Sequence, residues 1–171
     1  MMAGAVGALR LIEDADDRTL AVLRVSPASL GWYLGYRMLM TAAAAIGGLA
    51  VAVPLSGLAP EGRGPELAAA VVLAGAQAPL LMLAVTAVAG NKVEALAALK
   101  GLGLVMLVPV AMWFLPGATG WLLAWLPPFW PVQVLWGAPE LPPPAATVLG
   151  LLLSAAAAAA LLRRTAHRLE D

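Results

Sequence analysis

The chain has 171 residues, 62% hydrophobic and 12% charged, with ten basic and ten acidic side chains that cancel. Soluble domains carry roughly 45–50% and about 25% of these classes; a water-facing fold of this size would leave much apolar surface wet, whereas a bilayer accepts apolar side chains all round a helix. The lack of any basic run or stripe argues against a nucleic-acid partner, and the absence of cysteine excludes disulfides, thiolate metal sites and cysteine nucleophiles.

Residues 1–12 are apolar but have no basic lead-in, and they run into Glu13, Asp14, Asp16 and Asp17 rather than a cleavage site, so they do not form a signal peptide. After Arg18, Leu20 and Leu23 stand three apart and share a helix face, followed by Arg24. Ser26 before Pro27 matches an N-cap with proline at the first helical position, so the segment is expected to form two short helices with a break. Trp32, Tyr33 and Tyr36 then suit the membrane interface, with Arg37 snorkelling toward phosphates. On periodicity alone, the plainer reading of the acidic cluster is a solvated turn that sets topology.

A hydrocarbon core of about 30 Å needs roughly 20 apolar residues in a helix. Four charge-free runs approach that length: 38–58, 67–90, 101–115 and 145–162. The first holds Gly47 and Gly48, which, like the alanine run 155–160, suit close helix contact. The second holds Gln77 beside Pro79 and ends at Gly90 and Asn91, residues that favour a helix C-terminus. Gln77 either lines a pathway or satisfies a carbonyl freed by the proline kink. Thr41, Thr86 and Ser154 are expected to bond back to their own helices. The third run is short for a span unless it borrows flanking residues, and the fourth is closed by Arg163 and Arg164.

Lysine and arginine are retained on the cytoplasmic side of short loops. Arg10, Arg18, Arg24, Arg37, Lys92, Lys100, Arg163, Arg164 and Arg168 fall on one side of the spans and Arg63 alone on the other, which predicts both termini inside. Between the third and fourth spans, residues 121–136 read WLLAWLPPFWPVQVLW. Trp121, Trp125, Trp130 and Trp136 interleave with Pro127, Pro128 and Pro131, too broken to cross. A re-entrant or interfacial pair of short helices on the outer face is expected, its freed backbone satisfied by protein or water. An aromatic belt anchoring an ordinary loop fits the composition equally. The fold class is therefore all-α: a polytopic transmembrane bundle of about four full spans, a partial helix over 1–12 and the outer element.

No catalytic constellation emerges. His167, the one histidine, lies in a polar tail with no second metal ligand and no serine spaced for a triad. There is no phosphate-cradling G-x-x-x-x-G-K-[ST] loop, and no ionisable side chain sits inside a span as a proton relay.

The order EDADDRTLAVLRVSPASLGWYLGYR, then NKVEALAALKGLGLVMLVPVAMWFLP, then WLLAWLPPFWPVQVLW resembles bacterial ATP-binding-cassette exporter permeases of the fluoroquinolone-export type over nearly the whole chain. The resemblance implies an inner-membrane, multi-pass permease that exports a drug, small molecule or lipid-like substrate as a homodimer or heterodimer. A separate cytoplasmic ATPase would bind ATP and Mg, leaving this chain without a cofactor and not itself an enzyme. It implies that residues 13–25 (within a cytoplasmic segment 13–31) are a coupling helix docking on that ATPase, that 121–136 are the outer re-entrant helices, and that 163–171 are a cytoplasmic tail. Such permeases usually have six spans, so this chain is expected to start within the second, with 1–12 as its stub. The rival from another class is a small non-transporting membrane scaffold or assembly factor.

Overall fold

The computed structural model describes residues 1–17, 29–57, 61–115, 117–136 and 141–170. Among them every regular element is helical, and four stretches are long and apolar enough to cross a membrane: Leu30–Leu55, Gly64–Thr86, Lys92–Phe114 and Pro143–Ala166.

The chain opens with α1 (Met2–Asp16), which continues through the first acidic residues instead of breaking before them. Helix α2 (Leu30–Leu55) starts at Ser29, an extended residue whose hydroxyl accepts the Trp32 N–H at 3.2 Å, an N-cap. The expected start at Ser26 and Pro27 lies outside the described residues. Helix α3 (Gly64–Thr86) carries Pro65 in its first turn, where no intrahelical donor is required.

Asn91 does not close α3; it opens α4 (Lys92–Val105). Its side-chain oxygen accepts the Glu94 N–H at 2.9 Å, while the Glu94 carboxylate accepts the Gly90 N–H at 2.6 Å, a reciprocal arrangement that fixes a helix start and not an end. After a break at Met106 and Leu107, α5 (Val108–Phe114) resumes with Pro109 in its first turn, so α4 and α5 together supply the third span. A 3₁₀ segment (Gly117–Leu123) and α6 (Phe129–Trp136) form the connection to α7 (Pro143–Glu170).

Helix α3 is the hub: 61% of its apolar stretch is buried, against 6% for α2 and 17% for α7. Helices α1, α2, α4, α6 and α7 all pack on it. Lipid is as apolar as leucine, so helices in a membrane associate through close packing and not through removal of apolar surface from water. The glycines show where that closeness is needed. A Cβ on Gly4 would stand 2.5 Å from the Ala78 carbonyl oxygen, one on Gly150 would stand 2.6 Å from Trp130 Cβ, and one on Gly75 would overlap Ile46. Gly47 and Gly48 have nothing within 4 Å of such a Cβ, so the close contacts inside this chain are made elsewhere.

The bundle has two ends. The near end gathers the acidic end of α1, the turn between α3 and α4, and the end of α7, tied by the Thr165 hydroxyl donating to the Leu83 carbonyl at 3.3 Å. The far end gathers the α2–α3 connection and the 115–142 segment, tied by Arg63 Nη1 donating to the Leu135 carbonyl at 2.6 Å.

Candidate functional site at the acidic end and the proline-rich connection

Carboxylates in the last turn of a helix oppose its dipole, as does a lysine at the start of one. Glu13, Asp14 and Asp16 close α1 and Lys92 opens α4, so a partner from another element stabilises those that it reaches, and water solvates the rest. Glu13 pairs with Lys92 at 2.8 Å, two misplaced charges offsetting each other. Asp14 Oδ2 accepts from both the Arg37 guanidinium and the Tyr33 hydroxyl, while Arg37 Nε donates to the Tyr33 oxygen at 3.0 Å. The guanidinium also lies 5.3 Å from the centroid of the Tyr33 ring, within cation–π range. The Asp14–Arg37 side chains are about a quarter exposed and the Glu13–Lys92 side chains about half, so the first pair is the tighter clasp.

The acidic end thus joins three helices at one end of the bundle. Asp16 and Asp17 stay exposed and make no ion pair among the described residues. Arg18, Leu20, Leu23 and Arg24 lie outside the described residues. The roles of Tyr33 and Arg37 in holding Asp14 were not anticipated from sequence; their i, i+4 spacing on α2 is the signal, because it puts a donor pair on one helix face.

At the far end, the connection after α5 dips into the bundle and returns. Pro127 and Pro128 line a cavity with Gln77, Leu102 and Leu161, residues well inside α3, α4 and α7, and α6 then climbs back until Leu135 meets Arg63. The backbone around the prolines is satisfied by protein: Leu126 N–H donates to Leu123 O at 2.9 Å, Phe129 N–H to Leu126 O at 3.0 Å, and the Trp130 indole to Ala124 O at 3.1 Å. Pro131 falls in the first turn of α6, where its missing donor costs nothing. The tryptophans divide by role. Trp130 is buried against Gly150 with its ring edge-on to Phe129 at 5.3 Å, whereas Trp125 and Trp136 are exposed. Trp121 packs its ring 5.5 Å from Phe129.

Gln77 is buried in the middle of α3, and its Nε2 donates to the Leu73 carbonyl at 2.9 Å. Pro79 frees the carbonyl four residues back, that of Gly75. The amide bonds Leu73 instead, so relief of the kink is not its role, and its Oε1 is buried without a partner among the described residues. Gln133 Nε2 and Ser154 Oγ are in the same condition. Of the hydroxyls expected to bond back to their own helices, Thr86 does so, to Met82 and Leu83, while Thr41 reaches across to Met82 Sδ at 3.5 Å.

Among the described residues no cluster of histidine or carboxylate groups could hold a metal. Four apolar spans, a charged clasp at one end and a proline-tipped element entering from the other define a polytopic helical membrane protein built around a packed central helix.

The sequence profile of the family described as "Fluoroquinolones export permease protein Rv2686c-like" matches residues 1–163, and the chain belongs to that family. Two relatives in Mycobacterium tuberculosis, the fluoroquinolones export permease proteins Rv2686c (strain ATCC 25618 / H37Rv) and MT2760 (strain CDC 1551 / Oshkosh), are each 31% identical to it over 143 residues. That alignment covers 82% of this chain and 56% of theirs, so the chain spans just over half the length of these relatives. No solved structure matches it.

Proposed function

We propose that this chain is the membrane permease subunit of an ATP-driven exporter, that the near end of the bundle is cytoplasmic, and that residues 13–25 dock on a separate ATP-binding-cassette ATPase that binds ATP and Mg. The observation that carries the reading is the clasp: a push on the segment after Asp14 reaches α1 directly, α2 through Arg37 and Tyr33, and α4 through Lys92. Coupling requires that the ATPase contact this end differently in its open and closed states. The inner membrane, a second permease copy and cytoplasmic termini complete the proposal, in line with the nine-to-one distribution of basic residues.

The relatives' names make fluoroquinolones the first substrates to test. A lipid-like substrate also has a seat, because an apolar groove of about 410 Å³ between α2, α3 and α6, lined by Leu49, Val53, Val71, Val132 and Leu135, suits an acyl chain.

Co-expression of the chain with candidate ATPase subunits, purification in mild detergent and native mass spectrometry test the assembly. The expected result is a complex containing ATPase subunits whose inverted vesicles take up a fluorescent fluoroquinolone only with ATP. A homogeneous chain recovered free of ATPase, with vesicles indifferent to ATP, would favour the scaffold reading.

A further inference from the structure

The open groove of about 410 Å³ between α2, α3 and α6 has a direction. Leu67 and Ala74, both on α3, lie at its two ends, so it runs about 10 Å along that helix. That is most of the roughly 15 Å depth of one leaflet's hydrocarbon. No charged side chain lines it, and its one hydroxyl, on Ser56, donates to the Val53 carbonyl at 2.7 Å. The outer end of the groove reaches the far end of the bundle. There Arg63, the N-cap residue of α3, donates from Nη1 to the carbonyl of Leu135, itself a lining residue. The exposed Trp136 lines the same end, and its amphipathic ring suits the headgroup level.

Dimensions decide what fits. Spread over that length, the volume gives a cross-section of about 40 Å², whereas a helix about 10 Å across needs about 80 Å². A helix from a second copy is too thick, and a polar drug would bring groups that these walls leave unpaired. A single alkyl chain meets neither objection.

Charge decides what that chain hangs from. Arg63 is the one basic residue on this side of the spans, it is exposed, and among the described residues the bond to Leu135 is its one hydrogen bond. A guanidinium carries five N–H donors, so most are available to a phosphate at the mouth of the groove. Glu61 and Glu66 stand within three residues of it, and neither forms an ion pair with it among the described residues. Two carboxylates around one guanidinium oppose an anionic headgroup and favour one that carries its own cation.

We propose that this groove seats one acyl chain of a phospholipid with a zwitterionic, ammonium-bearing headgroup, its phosphate on Arg63 and its ammonium on the Glu61 and Glu66 side. The binding site stands on the groove and these charges; transport of the bound lipid as cargo rests on the permease reading above.

Native mass spectrometry of the purified chain in mild detergent, titrated with phosphatidylethanolamine and separately with phosphatidylglycerol of the same acyl chains, tests the proposal. The parent should hold phosphatidylethanolamine about fivefold more tightly. Arg63→Ala should weaken that binding about tenfold, the worth of one charge-assisted hydrogen bond. Glu61→Gln combined with Glu66→Gln should erase the preference by strengthening phosphatidylglycerol binding. Val71→Phe, which narrows the groove, should weaken both lipids about tenfold.

No preference in the parent, or undiminished phosphatidylethanolamine binding in Arg63→Ala or Val71→Phe, would overturn the proposal. If Val71→Phe abolished self-association and left lipid binding intact, the groove would belong to a second copy. Should that variant fail to fold, the parent chain in phosphatidylethanolamine vesicles doped with an acyl-chain diazirine analogue should be labelled chiefly at Leu49, Val71 or Val132; labelling spread evenly over the exposed faces of α2 and α7 also overturns it. Lipid binding that depends on Arg63, in an assembly that never exports, would retain the site and remove the permease reading. Export with lipid binding indifferent to Arg63 would do the reverse.

Discussion

At the near end, α1, α2 and α4 meet through Glu13, Asp14, Arg37 and Lys92, charges that sit at or near helix termini and are partly open to solvent. In the far half, α3, α6 and α7 meet through Leu73, Phe129, Trp130 and Gly150 with no charge between them. Ion pairs of the first kind are individually weak, weaken further with salt, and can exchange partners without leaving a void. Interdigitated packing of the second kind has essentially one arrangement, because moving one piece opens a cavity beside it. The difference is one of adaptability: the near end can re-pair its charges, whereas the far half holds one shape.

Mutations separate the two halves by size of effect. Phe129 is fully buried between Trp121 and Trp130, and Phe129→Ala should cause the largest loss. Transfer of a phenyl ring to lipid is nearly free, so mainly the cavity part of the usual penalty remains, about 2–3 kcal/mol, measurable by denaturant unfolding in mixed micelles. Gly150→Val comes next, since its side chain must displace Trp130 or Leu73, at about 1–3 kcal/mol of overpacking.

Arg37→Ala removes the partner of a quarter-exposed carboxylate and a tyrosine hydroxyl, for about 1–2 kcal/mol. Lys92→Ala should cost under about 1 kcal/mol and, unlike the others, should lose its effect in high salt. If Lys92→Ala proved as damaging as Phe129→Ala, or if the Phe129 effect disappeared with salt, the contrast between the halves would fail.

Much of this architecture was legible in the sequence, and what was not has a physical reason. Charge-free runs located the four apolar helices because a lipid-facing span has to be apolar whatever it packs against. The prolines and tryptophans of residues 121–136 excluded a crossing helix for a similarly local reason.

Which span is central was not legible. Helices α2 and α3 are equally apolar, and their tenfold difference in burial arises from neighbours far along the chain. For the same reason the sequence did not show that the close contacts within this chain fall at Gly75 and Gly150 and not at Gly47 and Gly48. The acidic cluster was visible as a feature, but its meaning depends on Arg37 and Lys92, which only tertiary structure brings to it. Gln77 stood out in the sequence as a polar side chain inside a span, and only the fold shows that its amide turns to Leu73 and leaves the oxygen without a partner among the described residues.

The central claim, that the clasped end faces the cytoplasm where an ATPase can reach it, is open to direct test because the chain has no cysteine of its own. Arg63→Cys and Lys92→Cys place single thiols at opposite ends of the bundle, to be treated in intact cells with a membrane-impermeant maleimide. The account predicts that the thiol at 63 labels from outside and the one at 92 only after the cells are opened. Labelling of both from the same side would contradict it.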